Sequence, residues 1–198
     1  MESYLYKDIL NYAGIRKPDV LQKLVQALAF QVGQEVVYKE VGGLTGLDSK
    51  TVSRYIDILE KGFVLFRMPA FSKNLHNEIK KNNKIYFYDN GIRNAVIGSL
   101  QPLAVRQDIG ALWENFLVSE RVKQLKYKRD RRQIFFWRTT QQQEVDFVEV
   151  KDGAVFGYEF KWNPARKIRF PKTFEKTYNA RVQGITQDNF REFVMPDL

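Results

Sequence analysis

Glu144-Val-Asp-Phe-Val148 and, past the turn Lys151-Asp152-Gly153, Tyr158-Glu-Phe-Lys-Trp162 are the stretches on which the reading of this chain turns. The spacing predicts three strands, 133–139, 144–150 and 154–162, joined by Thr140-Gln-Gln-Gln143 and by Lys151-Asp152-Gly153, whose Asp-Gly pair suits a tight hairpin. Asp146 falls among β-branched and aromatic residues that want burial. A lone carboxylate there costs several kcal/mol unless it is paired or bound to a metal. Glu159 and Lys161 are two apart, so strand alternation puts them on one face, with Tyr158, Phe160 and Trp162 on the other.

Outward from these strands, Ile109, Leu112, Trp113, Phe116 and Leu117 repeat with helical spacing over 109–126, and Glu114 rides on the shoulder of that stripe. A helix near 171–179 and a strand near 181–186 complete an α-β-β-β-α-β order around a central mixed sheet. With zero cysteines and a single histidine, His76, any metal must be held mainly by oxygen ligands. Two strand carboxylates, an ammonium and one helix carboxylate suit Mg2+ (or Mn2+), which takes one or two carboxylates plus substrate phosphate and water. Asp146 and Glu159 are the expected metal ligands, Lys161 positions or activates the water, and Glu114 assists. The competing reading is an ion-pair network in which Lys161 merely neutralises the carboxylates.

The first half has a different pattern. Lys17-Pro18-Asp19 opens a helix carrying Val20, Leu21, Leu24, Val25 and Leu28, which stops at Gly33. A short helix follows at 37–44, and Asp48 or Ser49 caps a third that reaches Lys61. That order is a helix-turn-helix, in which Val52, Tyr55, Ile56 and Leu59 pack inward and Lys50, Thr51, Ser53, Arg54 and Asp57 face out. Strands at 63–68 and 84–89 would form the wing, with Lys73, Lys80 and Lys81 in the loop between them. The predicted organisation is therefore a winged helix over 1–100 and an α/β domain over 101–198. Helix-turn-helix shapes also serve as protein-docking modules.

Lysine and arginine number 32 against 23 aspartates and glutamates, a net charge of +9 that favours polyanions and makes DNA the expected partner. The expected phosphate contacts are Lys50, Thr51, Ser53, Arg54, Lys73, Lys80, Lys81, and the basic residues Arg131, Arg132, Arg166 and Lys167 flanking the carboxylates. No apolar run approaches the roughly 18 residues of a membrane span, so the expected setting is cytoplasmic with no membrane partner. Neither a G-x-x-x-x-G-K-[ST] nor a G-x-G-x-x-G motif occurs, so no nucleotide-cofactor site is expected.

Glu114, Val145-Asp146 and Glu159-Phe160-Lys161 resemble the restriction-endonuclease-like PD-(D/E)xK superfamily, without the proline of its name. Across nearly its whole length the chain also resembles the C-terminal region of predicted AAA-type ATPases of bacteria and archaea. The stretches that carry this are Tyr4-Leu-Tyr-Lys-Asp-Ile9, Thr51-Val-Ser-Arg-Tyr-Ile56, Lys84-Ile-Tyr-Phe-Tyr-Asp-Asn-Gly91, Gly110-Ala-Leu-Trp-Glu-Asn-Phe116, Phe136-Trp-Arg138 and Glu144-Val-Asp-Phe147. The resemblance implies an ATPase module ahead of Tyr4, and either a Mg-dependent DNA nuclease or an inactive nuclease-like platform that docks DNA or a partner for that ATPase.

Overall fold

A computed structural model describes residues 18–72 and 83–195, so Lys73, Lys80 and Lys81 of the expected wing loop lie outside the described residues. The chain divides into two compact units, one of residues up to 67 with 84–106, the other of 68–83 with 107 onward.

In the first unit, α1 (Pro18–Phe30) presents Leu21, Leu24, Val25 and Leu28, each at most 1% exposed, at the spacing of a single helical face. It ends at Phe30, short of the expected stop at Gly33, because Gln31 to Gly33 turn, with Gly33 at φ 74°. After β1 (Glu35–Val36), α2 (Tyr38–Thr45) is stopped by Gly46 in the left-handed region. Helix α3 (Ser49–Lys61) starts at Asp48, whose carboxylate accepts from the backbone N–H groups of Lys50 and Thr51 at 2.9 and 3.0 Å. Its inward residues Val52, Ile56 and Leu59 are buried. Strands β2 (Leu65–Met68) and β3 (Asn83–Phe87) pair, with β3 central in a three-stranded sheet of order β1-β3-β2. The two-residue β1 was not anticipated, being too short to show any periodicity. Helix α4 (Asn90–Val96) is capped by Asp89 and tied to the end of α1 by the buried Arg93, whose Nε donates to the Ala29 carbonyl at 2.9 Å. The outer residues of α3 are partly committed inside this unit. Asp57 and Glu60 pair with Arg67, and the Thr51 hydroxyl donates to Asp48 at 2.7 Å.

The second unit begins with α5 (Ile109–Tyr127), preceded by a single 3-10 turn at Leu103–Val105. Strands β4 (Gln133–Arg138), β5 (Glu144–Lys151) and β6 (Ala154–Phe160) run antiparallel; α6 (Lys172–Tyr178) then carries the chain to β7 (Arg181–Ile185), parallel to β6. The result is a four-stranded mixed sheet of order β4-β5-β6-β7. The β5–β6 turn takes positive φ at both Asp152 (50°) and Gly153 (80°), the geometry that Asp-Gly hairpins favour. A terminal helix, α7 (Phe190–Val194), extends the predicted order; its five residues are too few to carry a helical period in sequence. Among the described residues no helix is long and apolar enough to cross a membrane.

Two local features organise this unit. First, Phe135 opposes Val148 and Trp137 opposes Val145, so Phe136 alone faces both Asp146 and Phe147: β5 carries a bulge. The extra residue lets Val145 and Val148 join one core cluster with Trp137, Val155 and Phe174. Second, Glu149, fully buried, is clamped by Arg121 of α5, with Nε to Oε1 at 2.6 Å and Nη2 to Oε2 at 3.0 Å, and by Arg132 at 2.6 Å. Truncating one member strands the others without a partner in low dielectric. Urea unfolding of Glu149→Ala is expected to show a loss of about 3–5 kcal/mol. Gly157→Ala, whose Cβ would lie 2.6 Å from the Phe174 ring, is expected to cost about 1–3 kcal/mol by the same measurement.

Candidate carboxylate and lysine site

The bulge re-aims Asp146. Its Oδ2 accepts from the Phe160 backbone N–H at 2.8 Å, a bond from β5 to the end of β6 just past the registered pair Phe147–Tyr158. Glu159 and Lys161 flank that same Phe160. As alternation requires, their side chains meet: Lys161 Nζ donates to Glu159 Oε1 at 2.6 Å. Lys161 continues the sheet beyond β6, its N–H bonding the Ile185 carbonyl of β7 at 3.0 Å, so the backbone around the site is held on both sides.

The electrostatics link four of the expected residues. Burial pushes the Glu159 carboxyl above its usual value; the bond and charge of Lys161 oppose this, and the carboxylates of Glu114 and Glu144 add to it. For Lys161, burial favours the neutral amine, but the bond to Glu159 and the charges of Glu159, Asp146 and Glu114 outweigh it and raise its pKa, so it is an ammonium at neutral pH. Glu114, half-buried on α5, thus lies within electrostatic reach of both strand residues. Glu144 was not singled out in sequence, although its place at the start of the decisive strand was the available signal. It faces Arg138, with Nε to Oε2 at 3.9 Å. Among the described residues no three acidic or histidine side chains converge closely enough to enclose one ion.

Aromatic rings close the site's flank. Trp113, next to Glu114, meets Trp162, next to Lys161, edge-on at 5.3 Å, and Phe190 of α7 at the same distance. These contacts hold α5 and the end of β6 in one arrangement.

The expected nucleic-acid residues divide. Lys50 and Arg54 are exposed on α3, Ser53 is half-buried, and Thr51 is occupied by the Asp48 cap. Arg131, Arg166 and Lys167 are exposed, whereas Arg132 turns inward to Glu149 and Asp130. Sequence reasoning missed Glu149 and Arg121; a glutamate within the apolar run of β5 is the same kind of signal that marked Asp146.

Residues 109–191 match the model of a domain of unknown function, DUF4143, which occurs at the C-terminus of AAA-ATPase-associated proteins. An uncharacterized protein of Mycobacterium bovis is 26% identical over 162 residues, covering 80% of this chain and 36% of that protein, and one of Mycobacterium tuberculosis matches with the same figures. An uncharacterized protein of Haemophilus influenzae is 29% identical over 102 residues, 49% of this chain and 26% of that protein. The chain thus spans about a third of the length of the mycobacterial relatives. No solved structure matches it. Residues 1–102, more than half of the chain, match a second model, and on that match the protein belongs to the family of the domain of unknown function DUF8612.

Proposed function

We propose that this chain is the DNA-handling C-terminal part of an AAA-type ATPase of the cytoplasm, a winged helix-turn-helix followed by a restriction-endonuclease-like domain that cleaves DNA phosphodiesters with Mg2+ or Mn2+. The observation that carries this reading is the convergence of Asp146, Glu159 and Lys161 at one sheet end, with Glu114 in electrostatic reach. The first unit supports it with an exposed basic edge, Lys50 and Arg54, on a helix preceded by a turn and followed by paired strands.

The donor set suits a hard divalent cation. Asp146 and Glu159 supply two adjacent chain carboxylates. Two chain carboxylates, with water and substrate phosphate completing the shell, are what Mg2+ accepts. Such an ion supplies Lewis-acid stabilisation of the phosphoryl oxygens and a more acidic bound water. The chain's own residues do the rest. Lys161, a protonated donor, offsets charge on the phosphate and orients the attacking water rather than taking its proton. Water oxygen adds to phosphorus and releases its proton to solvent as the P–O ester bond breaks, and the departing oxygen is protonated from solvent. Glu114 keeps Lys161 charged and placed. Exposed Arg131, Arg166 and Lys167 attract the backbone.

A second reading, a catalytically inactive module that docks DNA or a partner for the attached ATPase, is favoured by one observation: Lys161 already clasps Glu159, which needs no metal to be satisfied.

Plasmid and single-stranded DNA incubated with Mg2+ or Mn2+ are expected to be nicked by the wild type, and about 100-fold or more slower by Asp146→Ala and by Lys161→Ala. No cleavage, or equal cleavage by all three, would rule the nuclease out and leave the docking reading. Arg54→Ala is expected to weaken DNA binding about tenfold in a salt-dependent titration; unchanged affinity would remove α3 from the interface.

A further inference from the structure

On the sheet face opposite to Glu159, Arg121, Lys128, Arg132, Tyr158, Gln183 and Phe193 line a cleft of about 410 Å3, within the roughly 300–1,000 Å3 of small-molecule sites. Three of its charged lining residues, Arg121, Asp130 and Arg132, belong to a chain of alternating charge whose other members, Lys151 and the fully buried Glu149, lie outside the lining. Lys151 Nζ reaches Asp130 Oδ2 at 3.2 Å, Arg132 joins Asp130 at 3.2 Å to Glu149 at 2.6 Å, and Arg121 closes on Glu149 at 2.6 Å. Three cations face two carboxylates, so the array begins and ends on positive charge. Each carboxylate is already shared between two cations, and the cleft itself is lined by three cations, Arg121, Lys128 and Arg132, against two carboxylates, Asp130 and Glu192.

A buried arginine–glutamate array holds a fold together no better than apolar packing of the same volume does. What it does supply is a fixed donor set. A guanidinium has five N–H donors, and Arg132 spends two side-chain contacts on Asp130 and Glu149. Burial, and then the charge of Glu149, push the Tyr158 phenol up to about 12, so its hydroxyl remains a donor at neutral pH. Beside these donors stand apolar Phe193 and Leu125 and the amides of Gln124 and Gln183. That leaves room for an organic body larger than the anion itself.

We propose that this cleft is a phosphate-binding site that takes the phosphate group of a nucleotide, either free or at the end of a nucleic-acid strand. The guanidinium of Arg132, the Tyr158 hydroxyl and the Lys128 ammonium meet the phosphate oxygens, a pairing that guanidinium groups favour. Phe193 and Leu125 contact the sugar or base, and the two amides reach polar edges. The site is independent of the carboxylate site and of any metal there.

Calorimetric titration of the full chain tests it, with AMP, adenosine, and oligothymidylate bearing or lacking a 5′-phosphate. AMP is expected to bind and adenosine not, with affinity unchanged by EDTA and by Asp146→Ala. Tyr158→Phe and Lys128→Gln are each expected to weaken AMP about tenfold without lowering the melting temperature. Arg132→Gln should abolish binding; because it loosens the Glu149 clamp, the other two variants carry the test if it unfolds. Competition of AMP by the 5′-phosphorylated strand, and not by its unphosphorylated counterpart, would assign the strand end as source; AMP binding without competition would assign the free nucleotide. AMP binding no tighter than adenosine, or indifferent to Tyr158→Phe and Lys128→Gln alike, would overturn the proposal.

Discussion

Carboxylates on a strand flanked by core must be satisfied, and β5 carries two, Asp146 and Glu149, within a single apolar run. Burying either without a partner would cost a sizeable fraction of a small domain's net stability. The fold meets this demand in two ways. Glu149 is covered by two arginines, one from α5 and one from the segment leading into β4, which fastens helix and sheet together. Asp146 is lifted out of strict alternation by a bulge and given to the Phe160 backbone N–H.

These two solutions have different consequences. Glu149 ends fully buried, with both its oxygens bonded to guanidinium groups, so that side of the strand is structural at its floor and cationic at its wall. Asp146 is only half-buried and is brought beside Glu159 and Lys161. One strand thereby anchors, through Glu149, two arginines that line a cleft and places, through Asp146, an acidic, lysine-bearing cluster at its end.

Much of the architecture is legible in the residues. The apolar faces of α1 and α3, the Asp48 cap, the Asp152-Gly153 turn and the α-β-β-β-α-β order all follow from local periodicity and turn chemistry. So does the meeting of Glu159 with Lys161, because a spacing of two on a strand leaves little choice. The short elements β1 and α7 are not legible, since two and five residues span too little of a period to register. Thr51 and Arg132, readable as nucleic-acid contacts, turn out to have bonds within the chain: a hydroxyl next to a cap prefers the cap, and a guanidinium beside two carboxylates turns toward them.

The sequence by itself determined which residues could be unusual: carboxylates within an apolar strand and a glutamate two residues from a lysine stand out against their neighbours whatever the fold. Only the tertiary structure decided how each was answered. Whether a strand carboxylate is neutralised by an arginine 28 positions away, as Glu149 is by Arg121, or offered to a backbone N–H across a bulge, as Asp146 is to Phe160, depends on long-range register. A one-residue insertion in pairing changes which face a side chain takes, and local periodicity carries no record of that insertion.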